Sequence, residues 1–396
     1  MHLRKLLHKT FLKTASKLDK RNHRTIIEAA ITLSDCKHLS IAGIGRSLLS
    51  KAKIKHCIKR IDRLFGNHRV QAVTSVYYQE MAFILLQGVP QPAISIDWSG
   101  LTPCGEFHLL RASCPVGGRA VTLFEQSFTE REYMKQNVHK QFLSKLKEIL
   151  PENCRPIIVT DAGFRCPWFK LVLSFGWHYV GRVRNSTKYL SVRLDKWIAI
   201  KKLYARATQT PRYLFETLIA KANPVEGHLY LYKSKAKRRK NKNLRGKKIQ
   251  CSSSLKHAKR GREPWLLFTS LLPHEFNAKT IVKLYAQRMQ IEESFRDLKN
   301  TNNGLSMRHC RSYQKGRLNV ALLIGAITAF LLWLVGLVAK NQRVHLSFQA
   351  NTIKTRNVLS SFTIGWQYLK RRGMKISMTD FKLAKKQLRI DCLRCL

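Results

Sequence analysis

Residues 92–100 read PAISIDWSG and residues 155–163 read RPIIVTDAG, and these two stretches decide the fold class of the chain. Each contains four or five largely apolar residues of strand type, which predicts a short buried β-strand. An aspartate stands at the end of each run, Asp97 in the first and Asp161 in the second. In a chain with only 23 acidic residues, a carboxylate in such apolar surroundings is conspicuous.

The segments that follow these strands predict an α/β fold with a fixed order of elements. The predicted elements are strands at 106–114 (EFHLLRASC) and 119–128 (RAVTLFEQSF), a helix at 138–150, a helix at 166–176 and a strand at 177–184. Three antiparallel strands, a helix, a strand, a helix and a strand form the order of a ribonuclease-H-like core. In that order the first and fourth strands end side by side, so we expect Asp97 and Asp161 to be neighbours.

The charge of the chain indicates its partner. The 396 residues include 73 Lys and Arg against 23 Asp and Glu, a net charge of +50. Such a surface repels itself unless a polyanion neutralises it, so nucleic acid is the expected partner and an anionic membrane surface the second candidate. A hydrophobic content of 44% excludes wholesale disorder. The ten scattered cysteines predict a reduced, cytoplasmic protein.

Changes in composition along the chain predict five regions. These are a helical DNA-binding domain (1–88), the first part of the ribonuclease-H-like core (89–184), a β-rich insertion with a basic loop (185–272), the second part of the core (273–340) and a helical C-terminal region (341–396). In the insertion, ten of the sixteen residues from Lys233 to Lys248 are Lys or Arg. This run predicts a solvated loop that contacts DNA phosphates when DNA binds.

A helix-turn-helix is predicted in the N-terminal region. A short apolar segment around Ile41 and Ile44 precedes a break and then the longer helix KAKIKHCIKRIDRLFGN (51–67). Ile54, Ile58, Ile61 and Phe65 recur at helical spacing and are expected to be its buried stripe. The basic residues on its other faces are the predicted DNA contacts: Lys51, Lys53, Lys55, Lys59, Arg60 and Arg63. The alternative is an ordinary solvated, charged face.

A third carboxylate is expected from residues 284–299, LYAQRMQIEESFRDLK, which predict one continuous helix. Within it, Tyr285, Arg288, Glu292 and Lys299 fall within about 60° of one another, whereas Glu293 is turned about 100° away. Glu292 is therefore the predicted third metal ligand, with Arg288 and Lys299 holding backbone phosphates. The alternative is a solvated helix with salt bridges.

Asp97, Asp161 and Glu292 together predict a magnesium site. Neighbouring carboxylates repel one another unless a cation lies between them. Mg²⁺ takes oxygen ligands from carboxylates and from the phosphates of a substrate, which suits a nucleic-acid enzyme. The alternative for each aspartate is that it only caps the turn that follows it.

Residues 320–339, VALLIGAITAFLLWLVGLVA, are the one ambiguous segment. Twenty residues without a charge are long enough to span a bilayer. A helix buried on all sides in a protein core has the same composition. Because the segment directly follows the predicted catalytic helix, we interpret it as a core helix and expect no membrane partner.

The spacing Tyr285-x₂-Arg288-x₃-Glu292-x₆-Lys299 resembles the YREK signature of bacterial insertion-sequence DDE transposases of the insertion-sequence-four family. The similarity extends over nearly the whole chain and is closest to the Tn-ten transposase type. The runs that carry it are AKIKHCIKRIDRLFGN, DAGFRCPW, EPWLLFTSLLP, QRMQIEESFRDLK and FQANTIKTRNVLS.

This resemblance implies a DDE triad of Asp97, Asp161 and Glu292 that binds two Mg²⁺ ions, for which Mn²⁺ is expected to substitute. It implies cut-and-paste transposition through a DNA hairpin, with double-stranded element ends and target DNA as partners. It further implies self-association on paired ends, a cytoplasmic, nucleoid-associated location, and a Trp265 that stacks on a displaced base. For Trp265 the alternative is a core residue.

Two other function classes remain open at this point. One is a nuclease of the same fold that does not transpose. The other is a membrane-tethered DNA-binding protein, which rests on residues 320–339 alone.

Overall fold

The computed structural model describes residues 3–184, 187–235, 251–252, 255, 263–350, 352–353, 356–371 and 376–394. Helices and strands are both well represented, so the fold class is mixed α/β, as predicted. The chain forms two compact units. The first unit contains Met1–Pro156 and Gln287–Leu396, and the second contains Ile157–Ala286. Most of the predicted basic run, from 236 to 248, lies outside the described residues.

The first unit begins with consecutive helices. They are α1 (Leu3–Thr10), α2 (Leu12–Ala15), α3 (Lys20–Cys36), α4 (Ile41–Ser47), α5 (Ile54–Gly66), α6 (His68–Ala72) and α7 (Thr74–Leu86). Their starts follow local chemistry, because Asp19 and Ser40 accept hydrogen bonds from the first free N–H groups of α3 and α4. Helices α4 and α5 occupy the predicted helix-turn-helix.

The buried stripe of α5 differs from the predicted one. Cys57, Ile61, Leu64 and Phe65 are buried, whereas Ile54 is 60% exposed. The prediction was wrong at Ile54 because this residue is the first of the helix, which the loop before it leaves open to solvent. Apolar spacing alone does not show where a helix begins to touch the core.

A three-stranded antiparallel sheet follows in the first unit. Its strands are β1 (Ala93–Gly100), β2 (Phe107–Val116) and β3 (Arg119–Thr129), in the order β3-β2-β1, followed by helix α8 (Gln136–Ile149). Gly117 and Gly118 form the hairpin turn with φ values of 51° and 90°, which glycine adopts without strain. Strand β1 continues three residues beyond Asp97 to Gly100.

The second unit is built on a mixed sheet. Its elements are β4 (Ile157–Thr160), α9 (Cys166–Ser174), β5 (His178–Arg182), β6 (Lys188–Ser191), β7 (Lys196–Ala199), β8 (Arg212–Ile219), β9 (Val225–Tyr232), β10 (Trp265–Thr269) and α10 (Ala278–Gln287). The strand order is β4-β5-β10-β9-β8-β6-β7. Strands β4 and β5 are parallel because α9 connects them, and the other pairs are antiparallel. The elements from β1 to β5 therefore follow the predicted order.

The chain returns to the first unit with α11 (Gln290–Lys299), α12 (Lys315–Asn341), α13 (Ser361–Lys370) and α14 (Met378–Leu393). The prediction of one continuous helix over 284–299 was wrong, because α10 ends at Gln287 and α11 begins at Gln290. At the start of α11, Ile291 and Glu292 donate their N–H groups to the carbonyls three residues earlier, a tightened turn rather than an α-helical one.

Helix α12 contains the ambiguous apolar segment. Among the described residues it is the one helix long and apolar enough to cross a membrane, but 94% of its most apolar stretch is buried within the structure. It packs against α3, β3, α13 and α14. Gly336 and Gly365 permit a close crossing of α12 and α13, since a Cβ at either glycine would lie 1.9 Å from a backbone oxygen of the other helix.

Candidate active site

Asp97 belongs to a row of charged residues that crosses the sheet of the first unit. Asp97 on β1 is directly opposite Arg111 on β2, and Arg111 is directly opposite Glu125 on β3. Residues paired across neighbouring strands point to the same face of a sheet. The three strands therefore place a carboxylate, a guanidinium and a second carboxylate side by side.

The centre of this row is a buried ion pair. Arg111 donates to Glu125 Oε2 from Nε at 2.8 Å and from Nη2 at 2.6 Å, and the side chains are 3% and 0% exposed. Burial raises the pKa of Glu125, against the opposing effect of the Arg111 charge. The other guanidinium nitrogen, Nη1, donates to Ser294 Oγ at 2.9 Å. Arg111 thus ties the sheet to α11.

Helix α11 uses one face to bind the β2–β3 hairpin. Gln290 Oε1 accepts a hydrogen bond from the Val116 N–H at 3.0 Å. One turn later, Glu293 forms an ion pair with Arg119, whose Nη1 lies 2.5 Å from Glu293 Oε2. Glu293, the weaker of the two candidate ligands by its angle on the helix, therefore belongs to the packed face of α11. Arg119 also lies 3.5 Å from Asp297 on the same face.

Glu292 lies on the other face of α11. There its carboxylate and that of Asp97 both contact the guanidinium of Arg288. Arg288 Nη1 donates to Asp97 Oδ2 at 2.9 Å, and Nη2 donates to Glu292 Oε1 at 3.3 Å. The Arg288 side chain is 9% exposed, whereas that of Glu292 is 43% exposed. Arg288 lies in the tightened turn at the start of α11 and reaches back to β1 through its contact with Asp97. Two of the three predicted ligands are therefore brought together within the first unit.

Lys299, the last residue of α11, also contacts β1. Its ammonium donates to Ser99 Oγ and to the Gly100 carbonyl, both on β1. Burial lowers the pKa of Lys299 to about 8, and the neighbouring Arg111 and Arg308 charges add to the shift. Lys299 and the two carboxylates line a cavity of about 600 Å³, and Arg296 and Arg308 add further positive charge to its wall. The wall of the cavity therefore contains two carboxylates and three basic side chains.

Asp161, Trp265 and Tyr285 belong to the second unit. Asp161 directly follows β4, and its Oδ1 accepts a hydrogen bond from the Gly163 N–H at 2.9 Å. Trp265 is half-buried at the start of β10. The Tyr285 ring lies edge-on to it with centroids 4.9 Å apart, and Tyr232 makes a similar contact at 5.6 Å. Trp265 thus lies within an aromatic cluster. This position is compatible both with stacking on a displaced base and with a packing role in the core.

The basic residues of the helix-turn-helix fall into two groups. Five of them are exposed, namely Lys51, Lys53, Lys55, Lys59 and Arg63. Arg60 instead forms an ion pair with Glu28 of α3, which also binds Arg4 and Arg24 at 2.9 Å each. Burial raises the pKa of Glu28, but the three arginines outweigh it and hold the pKa below its ordinary value. Arg60 therefore connects α5 to α3, a role that its sequence position did not predict.

The donor set of the first unit fits a divalent cation. Among the residues that the structure describes, no group of three His, Cys, Asp or Glu side chains is placed to hold a metal ion. However, Mg²⁺ is commonly held by one or two carboxylates together with substrate phosphates. Asp97 and Glu292 supply two oxygen donors that already converge on one cationic group, Arg288.

The residues missed by sequence analysis are those that support the site. Neither Arg111 nor Glu125 is among the predicted site residues, although each is a charged residue in the middle of a mostly buried strand, directly after two apolar residues. Such a residue is rarely buried without a partner, so this pattern was the available indication. Ser294 gave no such indication, because a serine in a polar helix is unremarkable.

Comparison with known proteins gives the family of the chain. A search of the curated proteins gave no match. A protein-family model described as the transposase DDE domain matches residues 94–329, more than half of the 396-residue chain. The matched segment includes Asp97, Asp161 and Glu292. This family binds DNA and typically uses a divalent metal. The chain therefore belongs to the transposase DDE domain family, whose phosphoryl-transfer chemistry cleaves and joins DNA during transposition.

Proposed function

We propose that the chain is the transposase of a bacterial insertion sequence of the insertion-sequence-four family, Tn-ten type, and that it moves its element by cut-and-paste transposition. One observation carries this proposal: Asp97 and Glu292 meet at Arg288 beside a basic cavity, inside the segment that matches the family. Neighbouring carboxylates are the ligands that hold Mg²⁺ in metal-dependent cleavage of a phosphodiester.

Asp97, Asp161 and Glu292 are the residues proposed to hold two Mg²⁺ ions, with Mn²⁺ as a substitute. When bound, two such ions lower the pKa of water and stabilise the attacking and leaving oxygens of an in-line displacement. The chain itself contributes the position of the ligands. Strand β1 fixes Asp97, and the Arg111–Ser294 hydrogen bond fixes α11, which carries Glu292.

The proposed reaction is a series of four displacements at phosphorus. Water cleaves one strand at the element end and leaves a 3′-OH. That hydroxyl attacks the opposite strand, which forms a hairpin and releases the flanking DNA. A second water opens the hairpin and restores the 3′-OH, which finally attacks a phosphodiester of the target. Every step forms one P–O bond and breaks another, so a single site serves all four.

The cationic residues around the cavity are proposed to hold the DNA. Arg288 and Lys299 are the phosphate contacts nearest the carboxylates, and Tyr285 and Trp265 contact the displaced base and its backbone. Phosphate contacts fix the register of DNA without reading its sequence. Recognition of the element ends is assigned to the exposed lysines of α5, which lie on a separate element.

The partners and location follow from this chemistry. The protein is proposed to bind double-stranded element ends and target DNA, to self-associate when two ends are paired, and to reside with the nucleoid in the cytoplasm. These tasks are proposed to be divided among the five regions predicted from the sequence.

A strand-transfer assay tests the proposal. The DNA flanking the gene supplies the inverted repeats, which are built into short duplexes and incubated with the full-length protein, Mg²⁺ and supercoiled plasmid. Integration of the duplex into the plasmid is expected. A nuclease that does not transpose would cleave the duplex without forming joined products.

Substitutions at the three proposed ligands test the site. Asp97→Asn, Asp161→Asn and Glu292→Gln are each expected to abolish cleavage, while binding of the end duplex in a gel-shift assay is retained. Glu293→Gln is the matched control, because it removes a neighbouring carboxylate and keeps an oxygen for Arg119. Cleavage at the wild-type rate by any of the three variants would remove that residue from the triad.

A further inference from the structure

The position of Arg288 has a consequence for metal binding. Its guanidinium lies between Asp97 and Glu292, with one nitrogen on each carboxylate. With 9% of the Arg288 side chain and 15% of the Asp97 side chain exposed, their contact is shielded from the solvent that would weaken it, whereas Glu292 is 43% exposed. Arginine remains charged at every physiological pH, so this cation is permanent.

A divalent cation that takes Asp97 Oδ2 and Glu292 Oε1 needs the place that the guanidinium holds. Mg²⁺ binds oxygen ligands at about 2.0–2.1 Å, which is closer than any hydrogen bond from arginine. The two cations also repel each other strongly at such a separation. The guanidinium and the metal ion therefore compete for Asp97 Oδ2 and Glu292 Oε1.

We propose that Arg288 is an internal counter-ion that keeps the divalent-cation site closed in the absence of DNA. This inference rests on the proposed function, because it takes Asp97 and Glu292 as metal ligands. A DNA phosphate offers Arg288 another partner, since guanidinium binds phosphate oxygens in the same forked manner as carboxylate. Transfer of Arg288 to the phosphate leaves both carboxylates open to the metal ion.

The exchange makes DNA and metal binding cooperative. Anything that draws Arg288 away from the carboxylates raises the affinity for the ion, and by linkage the ion raises the affinity for DNA at the cavity. The protein then binds metal ions weakly until a phosphodiester is present. Arg288 acts on the ion through Asp97 and Glu292, so it is a positioning residue.

Binding of Mn²⁺ to the full-length protein without DNA tests this inference. The signal of free Mn²⁺ in electron paramagnetic resonance gives the dissociation constant directly and does not depend on catalysis. Removing the charge in Arg288→Gln is expected to tighten Mn²⁺ binding by about 5-fold or more, the lower end of typical coupling between linked sites. Equal or weaker binding by Arg288→Gln would overturn the inference.

Arg296→Gln is the matched control. Arg296 lies on the same helix and carries the same charge, but it is 69% exposed and pairs with Glu293 at 2.6 Å. Its loss changes the net charge equally and is expected to leave the Mn²⁺ affinity within about 2-fold of the wild-type value, since exposed charges are screened.

Two further variants separate the possible failures. If Arg288→Gln does not fold, Arg288→Lys decides the question. An ammonium lacks the planar fork that gives each carboxylate its own nitrogen, so it holds the pair less firmly, and tighter Mn²⁺ binding than wild type is still expected. Asp97→Asn combined with Arg288→Gln identifies the site. If this double variant binds Mn²⁺ as tightly as Arg288→Gln alone, the ion lies elsewhere and the proposed metal ligands are wrong. If the double variant binds Mn²⁺ weakly, Asp97 is supported as a metal ligand. The Mn²⁺ affinity of Arg288→Gln relative to that of the wild type then tests the role proposed for Arg288.

Discussion

Arg111 and Glu125 face each other across β2 and β3 and form an ion pair that is almost completely withdrawn from solvent. Through Ser294, the same arginine holds the helix that carries Glu292. The stability of the sheet and the position of a proposed catalytic carboxylate therefore depend on one side chain.

Removing the charge of Arg111 is expected to destabilise the fold strongly. In Arg111→Met, Glu125 remains buried without its partner, and breaking one side of a buried pair typically costs roughly 3–5 kcal/mol. Chemical denaturation measures the change in the free energy of unfolding. The double variant Arg111→Met/Glu125→Leu is expected to recover most of the loss, because no buried charge remains. A single variant as stable as the wild type would show that the pair adds nothing.

Asp297 is expected to make stability depend on pH. Burial raises its pKa from 3.8 to about 6, against the opposing effect of Arg119. The folded protein then binds a proton more tightly than the unfolded chain does. The resulting stabilisation is fully present below pH 3.8 and is lost as the pH rises through about 6. Its size is on the order of 2–3 kcal/mol.

Asp297→Asn isolates this contribution. The free energy of unfolding of both proteins is measured between pH 4 and 7, and the difference between them is followed. The wild type is expected to gain stability relative to the variant as the pH falls. A difference that does not change with pH would show that Asp297 ionises at its ordinary value.

The exposed lysines of α5 are expected to bind DNA phosphates. Charge reversal in Lys55→Glu and Lys59→Glu should weaken binding of the end duplex. Every DNA phosphate that a variant no longer neutralises should also lower the slope of log affinity against log salt by roughly one. Titrations at several salt concentrations measure this slope. An unchanged slope would mean that the two lysines are only a solvated face.

Arg60→Gln distinguishes a structural arginine from a DNA contact on the same helix. Because Arg60 pairs with Glu28, its loss is expected to lower the melting temperature and to leave the salt slope unchanged. A lower slope with an unaltered melting temperature would instead make Arg60 a phosphate contact, as its sequence position predicted.

Trp265→Ala is expected to separate nicking from hairpin formation. If Trp265 stacks on a displaced base, its loss removes about 1–3 kcal/mol of stacking. Nicking does not require a displaced base, but the 3′-OH must reach the opposite strand to close the hairpin. Nicked DNA should therefore accumulate and few hairpins should form, as denaturing gels would show.

A substrate that lacks the displaced base serves as the control for Trp265. It should partly restore hairpin formation in Trp265→Ala, because little unstacking is then required. Trp265→Phe, which keeps a ring, should retain much of the activity. If nicking and hairpin formation decline together and the abasic substrate gives no rescue, Trp265 is a packing residue of the cluster with Tyr232 and Tyr285.

Local sequence patterns were sufficient to predict the order of strands and helices from β1 to β5 and the family to which the chain belongs. Both depend on local pattern: apolar runs of strand length, glycines at turns, and a motif of fixed spacing around Glu292. The sequence also located Asp97 and Asp161 at the ends of apolar runs, because a carboxylate there is visible without any knowledge of its neighbours.

The pairing of charged residues could not be predicted in this way, because it depends on contacts between distant parts of the chain. Arg288 lies in the break between α10 and α11 and donates to Asp97, which is 191 residues earlier in the chain. Arg60 turns to Glu28, and Arg111 connects Glu125 to Ser294. A charged side chain looks the same in a sequence whether it faces solvent, DNA or a buried partner. Its role is fixed by the long-range contacts that folding creates, since burial makes an unpaired charge too unfavourable to remain.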